Sequence, residues 1–199
     1  FNDTPEHVVM IIVDGISYKV WDRLDLPVMR EMHENGALIE RLYLPPAAHP
    51  HSGEYAEIHS SSIPNPIMMS GTVFIDAGTE YLQEMLFPRR PTAFVANTYA
   101  YNTLNTSYTY SYQNSGPDSD AIEWAARFME LGEPAFMRVH LQNPGSAGNR
   151  SMRADDDESW QYDIWDEASP YRSALATADS LIGKFVSSLD RLGVLESTA

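Results

Sequence analysis

Residues 7–13 read HVVMIIV and run directly into Asp14-Gly15. A short apolar run rich in β-branched side chains is the pattern of a strand buried on both faces, and an Asp-Gly pair is a common way to end one. Residues 134–141 (PAFMRVHL) repeat that pattern, and residues 92–96 (TAFVA) give a shorter version. Helical segments separate these runs. Strands alternating with helices predict an α/β chain with a mainly parallel sheet flanked by helices.

Working outward from residues 7–13, residues 26–35 predict a helix, with Pro27 near its start and Gly36 just past its end. Residues 37–44 predict a strand, and residues 45–62 a long irregular stretch. Residues 64–69 open a short helix that stops near Gly71, and residues 79–86 predict another. The Tyr/Thr/Ser/Asn-rich residues 99–113 have hairpin or loop character. Residues 118–130 predict a helix capped by Asp118, with Ile122, Ala125, Ala126 and Met129 on one face. Residues 143–169 predict a polar loop, and residues 170–192 the longest helix, with Gly193 as its stop. There is no internal repeat and no linker, so residues 1–199 predict a single domain.

Composition narrows the function classes. Hydrophobic residues make up 43% of the 199 positions, enough for a core. No apolar run approaches the roughly 20 residues of a membrane-spanning helix. The formal charge of −15, from 28 acidic and 13 basic residues, disfavours nucleic-acid duplexes and anionic membranes as partners. There is no cysteine, which excludes disulfides, thiolate catalysis and zinc-thiolate sites.

In open α/β sheets ligands bind outside the carboxyl ends of the strands. That rule selects Asp14, the loop before Pro64 and the loop after Leu141. A carboxylate in the position of Asp14 can bind a hard cation or zinc, and equally it can serve only as a turn or helix cap. Ser62 precedes a proline-started helix, where backbone amides favour an anion; its hydroxyl is either a nucleophile or a cap. No Gly-x-Gly-x-x-Gly follows a strand, and no Walker lysine motif is present.

Taken in order, VVMIIVDG, Ser62-Ile63-Pro64-Asn65 near Ser70-Gly71, TAFVANTYAYN, PAFMRVHLQNPGSAG and SPYRSALATADSLIGKFVSSLDRLGVL resemble the N-terminal part of the alkaline phosphatase superfamily. The likeness is greatest to its nucleotide pyrophosphatase/phosphodiesterase and sulfatase-like branches. It implies an alkaline phosphatase-like α/β domain of which this chain is the N-terminal half, cut before the C-terminal metal-ligand strands. It implies a metal-dependent hydrolase of small-molecule phosphate esters working through a covalent phospho-serine. Asp14 then matches the metal-binding aspartate of the first strand, and Ser62 matches the nucleophile that also ligates metal. Asn65 matches the Asn of the family's Pro-Asn. The implied cofactor is a divalent metal, zinc first, with Ca, Mg or Mn as alternatives. The implied location is periplasmic or secreted, and a start at Phe1 suits a trimmed signal peptide.

The chain departs from the family's pattern in three places. Ser70-Gly71 comes one residue early, which makes Ser61 a fallback nucleophile. In the loop 143–149 the family's Asp and His positions are Gly145 and Asn149. The family's Asp-His pair on the next strand would fall beyond Ala199. Two rivals follow. One is a sulfatase-like single-metal hydrolase, although Pro66 stands where a formylglycine motif has Arg. The other is a non-catalytic relative that binds its ligand without turnover.

Other conspicuous residues have plainer readings. His49, His51 and His59 read as surface histidines, and His140 as a hydrogen-bonded core histidine. Residues 155–158 read as a solvated acidic loop. Trp160, Tyr162 and Trp165 are either a lid or an anchor.

Overall fold

The computed structural model describes residues 4–39, 55, 58, 80–86, 88–153 and 157–199. Four strands pair among them: Val8–Val13 (β1), Thr92–Ala96 (β2), Tyr110–Gln113 (β3) and Phe136–Leu141 (β4). Their order is β1-β4-β2-β3, and every pairing is parallel. The expected α/β class with a parallel sheet is therefore what the chain forms.

The connecting helices are Pro27–Asn35 (α1), Leu82–Leu86 (α2), Asp118–Gly132 (α3), Asn143–Ser151 (α4) and Pro170–Leu192 (α5). The main core lies between one sheet face and the pair α3 and α5. Val95, Met137, Val139 and Leu141 from the sheet meet Ile122, Phe128, Ile182 and Phe185 from the helices. Because side chains alternate along a strand, the other face of β2 and β4 carries Phe94, Ala96, Arg138 and His140. There Phe94 and Ala96 pack with Tyr55, Tyr101 and Leu104.

α5 follows its sequence signals closely. Ser169 accepts from Tyr171 N at 3.3 Å, Pro170 opens the helix, and Gly193 closes it at φ +73°. α5 also positions α1. Pro27 has no N–H, and the next two amides, Val28 N and Met29 N, donate to the buried Asp179 carboxylate at 3.2 and 2.8 Å.

Four expectations need correction. β1 is half-buried rather than buried on both faces, with Val8 41% exposed. It forms the edge of the four-stranded sheet, and its outer side is met near its start, where Val9 N donates to Ala199 O at 2.8 Å. Residues 99–113 form no hairpin. They make a short 3-10 turn, Asn102–Asn105, and then β3, which runs parallel to β2. Tyr110 and Tyr112 hold β3 down by stacking on Phe128 and Trp124 at 5.4 and 4.8 Å. The loop expected at 143–169 begins with helix α4, which Pro144 starts in its first turn. Residues 37–39 form no strand; residues 40–44 lie outside the described residues, as do 64–69.

Trp165 meets Tyr171 edge to face at 5.5 Å, so it anchors its loop on α5, while Tyr162 is exposed. Residues 154–156, His49, His51 and His59 lie outside the described residues.

Candidate active site at the carboxyl ends of β1, β2 and β4

Strand register brings three loop starts together. Val13 is level with Leu141, and Ala96 is level with His140. Asp14, Asn97 and Gln142 therefore leave the sheet side by side. Asp14 N donates to Leu141 O at 2.9 Å, which carries the β1–β4 ladder one step past the strands. Tyr171 on α5 secures the loop beyond: its hydroxyl donates to Gly15 O at 2.8 Å and accepts from Ser17 N at 3.2 Å.

The two loops touch at backbone distance. Gly15 has φ +71°, and a β-carbon on it would lie 2.6 Å from Gly145 Cα. A β-carbon on Gly145 would overlap the Asp14 carboxylate. Glycine at both positions is thus what lets Asp14 lie against the first turn of α4. Gln142 completes the contact by donating its side-chain N–H to Asp14 Oδ2.

Asp118 has a different role from the cap expected for α3. Pro117 is the N-cap of α3, and Asp118 is the helix's first residue, 2% exposed. Its Oδ1 accepts from Gln142 N at 2.9 Å, and its Oδ2 accepts from Asn143 N at 3.2 Å. It therefore caps α4, not its own helix. Asn97 joins in, donating to Asp118 Oδ1 and accepting from Gln142 N at 2.8 Å. Burial pushes the Asp118 carboxyl above its usual range; the N–H groups of Asn143, Gln142 and Asn97 pull it back, and the nearby Asp14 charge adds to the rise.

Behind this loop cluster lies a buried polar chain. His140 is fully buried, as expected for a core histidine, with Tyr101 Oη 2.7 Å from its Nδ1. Arg138 is also fully buried and donates from Nη2 to Tyr101 Oη at 2.8 Å. Its guanidinium lies over the Tyr101 ring, 4.5 Å from the centroid. Burial pushes Arg138 down to about 9, and it pushes the Tyr101 phenol well above its usual range.

A cleft of about 330 Å³ opens beside Gln142, lined by Asn97, Thr98, Tyr99, Ser115, Asn143 and Ser146 among others. Among the described residues no charged side chain lines it. Its walls offer amide and hydroxyl groups, which suit neutral polar substituents of a ligand.

Of the expected site residues, the structure describes Asp14 and places it at the end of β1. Ser62, Asn65 and Ser61 lie outside the described residues. Gly145 and Asn149 lie on α4, and Asn149 is exposed. Asp14 itself supplies a carboxylate, an oxygen donor that suits a hard cation, and Gln142 turns an N–H toward it. Among the described residues no cluster of three or more His, Asp and Glu side chains comes together. Gln142, Asn97 and Asp118 were missed from sequence. The available signals were an amide directly after a buried strand and an Asp directly after Pro117.

No known protein-family profile matches the chain, and no curated protein matches it. Solved structures do. The lipoteichoic acid synthase LtaP from Listeria monocytogenes superposes with a TM-score of 0.71 at 11% identity, over 98% of this chain and 54% of that one. An inactive form of the murine ectonucleotide pyrophosphatase/phosphodiesterase 5, in complex with AMP, gives 0.67 at 12% identity, over 98% and 55%. An alkaline phosphatase superfamily protein from Vibrio parahaemolyticus gives 0.66 at 16% identity, over 98% and 53%. The chain therefore has the alkaline phosphatase-like fold, and it spans about half the length of the solved structures it matches.

Proposed function

We propose that this chain carries the first metal ligand and the nucleophile of a hydrolase of small-molecule phosphate esters. The observation that carries the reading is Asp14. Its carboxylate, an oxygen donor that suits a hard divalent cation, stands at the carboxyl end of β1, in a fold shared with a neighbour solved with AMP bound. The AMP bound by the murine neighbour is itself a phosphate ester, which supports that substrate class.

In this reading Ser62 Oγ attacks phosphorus in line. A new P–O bond to Ser62 forms as the bond to the ester oxygen breaks, and the departing alkoxide takes a proton. Water then cleaves the phospho-serine, returning the hydroxyl and releasing phosphate or a phosphomonoester. Asn65 orients the phosphoryl oxygens. A divalent cation held by Asp14 and Ser62 would supply a lowered hydroxyl pKa and charge neutralisation. The resemblance supports an exported location, periplasmic or secreted; among the described residues no helix is long and apolar enough to cross a membrane.

Gly145 favours a second reading, a relative that binds a phosphate ester without turnover. With Asp14 in its observed place, a ligand side chain at position 145 is sterically excluded. Turnover of bis-p-nitrophenyl phosphate and p-nitrophenyl phosphate, with Mn²⁺, Zn²⁺, Mg²⁺ or Ca²⁺ added, separates the two. The hydrolase reading expects a rate that falls at least about 100-fold in Ser62→Ala. Equal rates in wild type and variant would remove Ser62 from the mechanism, and AMP binding with no turnover would support the second reading.

A further inference from the structure

Arg138, Tyr101, His140 and Gln142 form a continuous run of hydrogen bonds that ends on Asp14. Arg138 Nη2 lies 2.8 Å from Tyr101 Oη, which lies 2.7 Å from His140 Nδ1. His140 Nε2 lies 3.3 Å from Gln142 Oε1, and Gln142 Nε2 donates to Asp14 Oδ2. Arg138, Tyr101 and His140 are each 0% exposed.

The direction of each link follows from its two ends. A carboxylate only accepts, so Gln142 must turn its NH₂ group toward Asp14 and its carbonyl toward His140. A carbonyl also only accepts, so His140 Nε2 must carry a proton. A second proton on Nδ1 would place an imidazolium, fully desolvated, within one residue's width of the Arg138 cation, which both burial and like charge disfavour. Nδ1 is then an acceptor, and the Tyr101 hydroxyl donates to it. A guanidinium only donates, so Tyr101 Oη receives Arg138 with a lone pair while giving its proton to His140. Tyr55 Oη, 3.5 Å from His140 Nε2, can share that nitrogen's proton without altering the order.

We propose that Tyr101 and His140 are positioning residues for Asp14. His140 is held as the neutral tautomer protonated on Nε2, and this fixes the Gln142 amide in the orientation that donates to the carboxylate. Without that constraint the amide could turn its carbonyl toward Asp14 and push the carboxylate away. Arg138 sets the polarity of the run from its buried end, on the same sheet face as His140. The effect on a cation at Asp14 rests on the proposed function; the tautomer itself does not.

The 199-residue chain labelled with ¹⁵N-histidine tests this at neutral pH, with a His140→Asn spectrum assigning the resonances. Long-range ¹H–¹⁵N correlations should show His140 neutral, with Nε2 protonated and Nδ1 bare. Tyr101→Phe keeps the ring that stacks on Tyr55 at 4.3 Å but removes the donor. It leaves Nδ1 without its donor and should weaken Mn²⁺ binding about 10-fold, the lower end of what outer partners of metal ligands contribute. Gln142→Met should weaken Mn²⁺ to the same extent. A wild-type His140 protonated on Nδ1, or a Tyr101→Phe chain that binds Mn²⁺ as tightly as a wild type that binds it, would overturn the proposal. If Tyr101→Phe does not fold, the wild-type tautomer decides alone. If Mn²⁺ binds neither wild type nor variants, the cation reading of Asp14 fails, while the tautomer still upholds or overturns the relay.

Discussion

Position 145 decides whether Asp14 keeps its place. The carboxylate lies where a side chain on residue 145 would begin, so even one methyl group must displace it or shift α4. Neither can move cheaply. Asp14 is tied to Gln142, and the start of α4 is tied to Asp118. Gly145→Ala is expected to cost about 1–3 kcal/mol, the range for overpacking a close contact. Urea unfolding measures it, and an unchanged midpoint would show that Asp14 is free to swing away. The sequence showed that Gly145 departs from the pattern it resembles, because a glycine cannot ligate. It could not show that Asp14 fills the space, since that depends on two loops from distant strands meeting at backbone distance.

Among the elements, legibility followed how locally each one is specified. α5 carries its own cap, its apolar stripe and its stop, so residues 170–192 read directly as a helix. α4 carries Gly145, Ser146 and Gly148, which are poor helix formers, and it read as a loop. Tertiary contacts hold it instead: Asp118 at its N-terminus, and Tyr171 near Gly148, where a β-carbon would come within 3.3 Å. Asp118 has a pH signature that tests this capping. Its carboxyl is raised by burial above the ordinary 3.8, so the folded chain binds its proton more tightly than the unfolded chain does. Its contribution to stability is fully present below the unfolded value and is lost as pH rises through the folded value. Asp118→Asn removes that titration and leaves one donor facing Asn143 N, costing about 1–2 kcal/mol. The advantage of wild type over Asp118→Asn should shrink as pH rises through this window. Urea midpoints across pH report it, and an advantage that grows with pH would contradict the burial argument.

At the scale of the whole molecule, the charge of −15 sets the terms for any phosphate ligand. The overall field repels an anion, and the described site adds the Asp14 and Asp118 carboxyls and uncharged amides. A bound cation together with local N–H donors must therefore bring a phosphate in. The fold was legible because buried parallel strands have a strong sequence pattern and the loops that matter follow them directly. Asp14 was legible as a candidate for the same reason: it ends a strand. Asn97, Asp118, Gln142, Tyr101 and Arg138 were not, because each is an ordinary residue until the register of β1, β4 and β2 puts them in one network. The central claim is that Asp14 is a cation ligand, and calorimetric titration of Mn²⁺ into wild type and Asp14→Asn tests it most directly. One Mn²⁺ per chain in wild type, bound at least about 10-fold more weakly by the variant, is the expected result; equal binding by both chains, or none by wild type, would contradict it.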